Sequence, residues 1–291
     1  MYKIKKENWC SKRCKYKLAG VFSKKIHREK KPICTRFKVN SFSSNENFPT
    51  IEEKWNEIFK ANFEKIELPN KSVNGLVIVE NRCDERLEFV IKNIIYYVPN
   101  WKLHIYHSEK NKTYIQKILG KQAENVVLHN LEHDIQTNQD YNKVLLDVNF
   151  WTKLMEHERV LIFQTDTIML RSGIEKFLKY DYIGAPWEWW FKDFKTYNRM
   201  GGNGGFSLRN VSKMIETIQK YKGVEKVQMR DYQNEDVFFS YHLFKDKKAL
   251  LPNWNDAMLF SSEVMLCAKT LAVHQAWRFH EKYMPKFTLK K

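Results

Sequence analysis

The chain has 291 residues, 43% of them apolar, which is enough for one large α/β domain with a real core. Its formal charge of +16 invites a nucleic-acid reading, but residues 1–40 carry 14 Lys/Arg against 2 Asp/Glu and leave only +4 for all that follows. The basicity belongs to an arm and not to the fold, and with no apolar run long enough for a membrane span or a signal peptide, the sequence predicts a soluble, cytoplasmic protein.

Residues 1–45 read as a basic, flexible arm, and 46–291 as the folded domain. Within the arm, Cys10, Cys14, His27 and Cys34 supply enough donors for zinc. Their spacing matches no common zinc module, so a mobile arm is the expectation. Its Lys and Arg are interleaved with Trp9, Tyr16, Phe22 and Phe37, which suits phosphate contact and stacking and keeps a nucleic-acid- or virion-associated binding protein as the alternative. Five cysteines, an odd number without a spaced framework, imply reduced thiols.

After a polar linker, Thr50 and Glu53 form a capping box opening a helix on which Trp55, Ile58, Phe59 and Phe63 fall at helical spacing. Strand and helix then alternate: a buried strand over 76–79, a helix over 85–97 stopped by Pro99, a strand over 103–106, a helix over 113–119 ended by Gly120, and a strand over 126–128. One long amphipathic helix is predicted over 141–157, leading into a strand over 160–163. A short strand ends at the segment 181–187, a Trp-rich loop runs to about Met200, and a strand over 206–208 precedes a helix capped by Asn210 or Ser212. The fold class is α/β with a mostly parallel sheet and helices on both faces, binding ligands at its strand ends.

Five features carry candidate chemistry. The apolar strand Leu161-Ile162-Phe163 delivers Gln164, Thr165 and Asp166 to a strand end, where a carboxylate can hold a divalent cation against a diphosphate. Asp166-Thr167 would also serve as a plain turn cap. His274 follows the apolar run Thr270 to Val273 and is either a second metal ligand or a hydrogen-bonded core histidine. Gly201, Gly202, Gly204 and Gly205, around Asn203, concentrate positive-φ freedom and close backbone approach at a strand entrance. Asn234 reads as a helix N-cap, with Glu235 and Asp236 in the first turn. Acids there are stabilised by free N–H groups, and one of them is placed to act as general base. Trp187, Trp189, Trp190, Trp254 and Trp277 offer indole faces for sugars or for packing.

The segments Tyr141 to Leu146, Phe150-Trp151, Leu161 to Thr167, Asp181 to Trp187, Gly202 to Arg209 and Asn234 to Phe239 resemble, in order, a family of GT-A-like glycosyltransferase domains long catalogued as of unknown function and found in fungi, bacteria and giant viruses. The resemblance runs from about residue 73 to residue 280 and takes in Val79-Glu80-Asn81-Arg82 and His274 to Trp277. It implies a GT-A-like (Rossmann-like) fold and transfer of a hexose or N-acetylhexosamine from a UDP-sugar to a hydroxyl of a glycan, protein or small molecule. It further implies Mn²⁺ or Mg²⁺ on Asp166 and His274, and nucleotide contacts from Glu80, Arg82, Gln164 and Thr165. Trp187, Asn203, Gly204 and Gly205 would border sugar and acceptor, and Glu235 or Asp236 would be the base, which suits inversion. Gln164 departs from the usual Asp-any-Asp signature, leaving Asp166 as the one carboxylate of that motif. A nucleotide-sugar hydrolase, with water in place of the acceptor, is the other enzyme reading.

Overall fold

Side-chain alternation along four parallel strands divides the core in two. The computed structural model describes residues 58–223, 232–264, 267 and 269–275. The arm with its cysteines, the capping box at Thr50, and Trp55 and Trp277 lie outside them. Strands β1 (Asn74–Val79), β2 (Lys102–His107), β3 (Val127–Asn130) and β4 (Arg159–Phe163) run parallel in the order β3-β2-β1-β4. After β5 (Thr167–Met169), the strands β6 (Tyr182–Ile183) and β7 (Phe206–Asn210) complete a six-stranded sheet, with β7 antiparallel to both β4 and β6. A second sheet joins β5 to β9 (Ala272–His274) and β8 (Ser261–Ser262).

Leu76, Ile78, Leu103, Ile105, Leu161 and Phe163 face one core, and Val77, Val79, Tyr106, Val160 and Ile162 face the other. Helix α1 (Arg86–Tyr97) covers the first face because Leu87, Val90, Ile91, Ile94 and Ile95 recur at helical spacing, each burial stabilising by roughly 1.5–3 kcal/mol. Helix α2 (Glu109–Leu119) lies on the same side through Ile115, Ile118 and Leu119. The other face is covered by α3 (Asn138–Leu145), α4 (Val148–Thr152), α6 (Val211–Tyr221) and α7 (Glu235–Lys245), whose Leu145, Trp151, Met214 and Phe239 share that core. The predicted mostly parallel sheet with helices on both faces is what the chain forms.

Four helical features differ from expectation. The single helix over 141–157 is two, since Asp147 turns out of the helix and its carboxylate accepts from the Asn149 N–H at 3.0 Å, capping α4. Helix α2 starts at Glu109, where Ser108 and Asn111 form the cap and a polar first turn hides the apolar periodicity. The Trp-rich loop contains helix α5 (Glu188–Phe194), and a further helix, α8 (Trp254–Phe260), is capped by Asn253. Phe59 and Phe63 are buried as their spacing predicts, whereas Ile58 is exposed.

Candidate active site

Strand register brings the sequence-distant candidates to one edge. Phe163 at the C-terminal end of β4 pairs with Phe206, the first residue of antiparallel β7, so the glycine segment before β7 meets the Gln164-Thr165-Asp166 turn. That turn feeds β5, whose Thr167 pairs with His274 of β9. Asn93 of α1 fixes β5 by donating to the Met169 carbonyl at 3.0 Å and accepting from its N–H at 2.7 Å.

At this junction His274 Nε2 lies 3.3 Å from Asp166 Oδ1 and 3.1 Å from Gln164 Oε1. Gly205 is required here, because a Cβ would collide with the His274 imidazole; none of the four glycines of this segment has a positive φ, so contact, not backbone freedom, explains them. Burial alone would push the His274 pKa down, but Asp166 and then Glu263 override it and raise it to about 9. Burial raises and the His274 contact lowers the Asp166 carboxyl, and the balance leaves it below the usual range. Carboxylate, imidazole and amide oxygen form a donor set that fits a divalent cation. His274 Nδ1 supports that fit. It is buried without a hydrogen bond, 3.6 Å from Glu263 Oε1, so an ion on Nε2 would leave Nδ1–H facing a carboxylate.

The C-terminal end of β1 adds a charged loop. Buried Glu80 accepts from Arg82 Nε at 2.8 Å and Nη2 at 2.7 Å, while Asp84 accepts from Arg86 Nε at 2.9 Å and Nη2 at 2.6 Å. Thr165 Oγ1 reaches Asp84 at 3.4 Å, tying this loop to the β4 turn. Asp84 and Arg86 are missing from the sequence reading. Their signal was the alternating charge of Arg82-Cys83-Asp84-Glu85-Arg86 after a strand.

Across the glycine segment, Asp236 Oδ2 accepts from the Gly204 N–H at 3.0 Å. Desolvation and then the neighbouring Glu235 charge raise the Asp236 pKa to about 7. Glu235 behaves differently: it is 3% exposed and holds buried Arg209 through Nη1–Oε2 at 2.5 Å and Nη2–Oε1 at 3.0 Å. Asn234 occupies the cap position of α7 without a capping side-chain bond. The Glu235 N–H instead donates to Asn142 Oδ1 at 3.1 Å, and Asn142 also donates to Asn234.

The family described as "Protein of unknown function (DUF5672)" matches residues 125–277, more than half of the chain. The chain belongs to this family. In this DUF5672 member the match includes the β4 turn, the glycine segment, the start of α7 and His274, whereas the charged loop after β1 precedes it. No curated protein matches the chain. Mouse xyloside xylosyltransferase 1, in its apo form, is similar at 11% identity and a TM-score of 0.47, over 73% of this chain and 100% of that one. The 4-diphosphocytidyl-2C-methyl-D-erythritol synthase of Anaerococcus prevotii is similar at 12% identity and a TM-score of 0.39, over 62% of this chain and 85% of that one.

The remaining candidates of the DUF5672 chain are split between cleft and core. Asn203 Oδ1 accepts from the Gly205 N–H at 2.7 Å and shapes the glycine segment. Trp187 is only 8% exposed, stacked on Trp189 at 5.0 Å, and joins Trp190, Met200 and Val237 in a small apolar cluster. Among the described residues no helix is long and apolar enough to cross a membrane.

Proposed function

We propose that this chain is a GT-A-like glycosyltransferase that moves a hexose or N-acetylhexosamine from a UDP-sugar to a hydroxyl acceptor, with inversion. The convergence of Asp166, Gln164 and His274 within 3.3 Å, at the strand end where open α/β sheets bind ligands, carries this reading. Asp166 and His274 would hold Mn²⁺ or Mg²⁺, an ion that would supply positive charge to offset that of a departing diphosphate. Arg82, whose side chain is 64% exposed beside Glu80, would contact the nucleotide. Asp236 takes the acceptor hydroxyl proton, the acceptor oxygen bonds to the anomeric carbon, and the bond from that carbon to the diphosphate oxygen breaks to release UDP. A carboxyl titrating at about 7 suits this work, since an effective base is matched to the working pH. Glu235, with both oxygens on Arg209, supports the start of α7 instead of meeting the acceptor. Asn203, Gly204 and Gly205 border the sugar, and Trp187 belongs to the apolar cluster with Met200, the residue before the glycine segment.

The test is UDP release by the full chain with a panel of UDP-sugars and Mn²⁺, with and without hydroxyl acceptors. Acceptor-dependent release is expected, and Asp166→Ala should lower it by about 10²-fold or more. Acceptor-independent release would identify a hydrolase. Absence of release with every donor, or full activity in Asp166→Ala, would overturn the assignment.

A further inference from the structure

A second group of buried histidines lies towards the N-terminal ends of the strands of the main sheet. His104 of β2 and His157, just before β4, turn their Nε2 atoms towards each other at 2.8 Å, and Glu156 Oε1 lies 3.7 Å from the first and 3.8 Å from the second. We propose that His104, Glu156 and His157 form a metal site for an ion of the zinc class, separate from the cleft at the strand C-terminal ends.

These three donors lie within 4.8 Å of one another. Two imidazoles and one carboxylate are a zinc-type ligand set, and the 43% exposure of Glu156 leaves a fourth position open to water. Ligand bonds of about 2.0–2.2 Å require the facing nitrogens to separate by roughly half an ångström. Lys102 contacts both Glu156 oxygens, at 2.9 and 3.1 Å, so the ion takes Oε1 while Lys102 keeps Oε2.

The surroundings are built for these rings. His157 Nδ1 donates to the Ser72 carbonyl at 2.9 Å, which leaves the lone pair on the inward Nε2. The His157 ring fits because residue 75 is glycine; a Cβ there would stand 2.7 Å from the ring. In the metal-free chain His104 Nε2–H must then donate to His157, and His104 Nδ1 accept from His129 Nε2–H at 3.0 Å. An ion replaces the His104 Nε2 proton. His104 then carries its proton on Nδ1 and donates to His129, whose own proton moves to Nδ1. Both rings change tautomer, and no net proton is released. Burial and the neighbouring imidazoles hold His104 down at about 3, and burial with nearby Lys153 holds His129 at about 4, so lone pairs are available at neutral pH.

The test uses the full-length chain stripped with chelator and carrying Cys10→Ser, Cys14→Ser, Cys34→Ser and Asp166→Ala, which removes thiolate ligands in the arm and the cleft carboxylate. Cobalt(II) titration should give one bound ion with visible d–d absorption, no thiolate charge-transfer band, and displacement by zinc. His157→Gln should abolish binding. Glu156→Gln, an exposed change that leaves the fold intact, should weaken it by about tenfold or more and decides the matter if His157→Gln unfolds. No binding in this background, or affinity unchanged by Glu156→Gln, would overturn the site.

Discussion

His274, at the C-terminal end of β9, and His104, in the N-terminal half of β2, are almost equally hidden, at 3% and 1% exposure, yet their protonation is driven in opposite directions. At the C-terminal edge, Asp166 and Glu263 flank the ring, and its pKa rises to about 9 despite burial. At the N-terminal edge, burial acts together with His157 and His129, and the His104 pKa falls to about 3. Burial pushes both rings towards the neutral form, and the charge of the nearest partners decides whether that push stands, as at His104, or is overturned, as at His274. One edge collects carboxylates and arginines suited to a charged ligand, and the other collects neutral lone pairs.

The largest effect expected from breaking this arrangement concerns the support of the cleft. Arg209 lies fully buried among Tyr182, Phe239 and Trp151, at 5.0, 5.7 and 5.9 Å from their ring centroids, with Glu235 as its counter-charge. Arg209→Met leaves Glu235 buried and uncompensated and should destabilise the chain by about 3–5 kcal/mol in denaturant unfolding. Arg209→Met with Glu235→Gln should recover much of that loss, because the isolated charge is gone. A double variant no more stable than the single one would refute the pair's role. The next effect is catalytic. Asp236→Asn should lower kcat by about 10²–10⁴-fold while donor KM changes little, and the wild-type rate should rise as pH increases through about 7, where the carboxyl ionises. A profile flat across that range would remove Asp236 as base.

The sheet and the β4 turn were legible because they rest on local pattern: apolar runs of strand length bounded by Pro and Gly, and Asp166 directly after one of them. The convergence with His274 was legible only as two strand ends, since the register that joins Thr167 to His274 is tertiary. The division of labour between Glu235 and Asp236 was not legible. Both occupy a first helical turn, and only the burial of Arg209 beneath the glycine segment assigns one to an ion pair and leaves the other near the cleft. The histidine cluster escaped altogether, because His104, His129 and His157 are separated by dozens of residues, the first two in short apolar strands and the third in the charged stretch Glu156-His157-Glu158-Arg159. The broken helix after Leu145 escaped because Asp147 at a cap and Asp147 on a helix surface give the same sequence pattern.

The smallest effects are the pH limbs of stability, and they test the comparison most directly when measured with chelator present. His104 has a folded pKa near 3, below the ordinary 6.5, so the folded chain binds fewer protons there than the unfolded one. Its contribution is complete above 6.5 and is lost as pH falls towards 3. His274, raised to about 9, contributes fully below 6.5, and that contribution is lost as pH rises through 9. Asp166, held below its usual 3.8, adds only at the acid extreme, whereas Asp236, raised to about 7, gives an opposite slope between 3.8 and 7, so the His104 limb is read as the difference between wild type and His104→Gln. His104→Gln should therefore flatten the fall in Tm between 6.5 and 4, and His274→Gln the fall between 6.5 and 9, with changes of about 2–4 °C for each kcal/mol removed. If each substitution lowered Tm by a constant amount at every pH, the two rings would be packing elements alone, and the electrostatic contrast between the two edges would be lost.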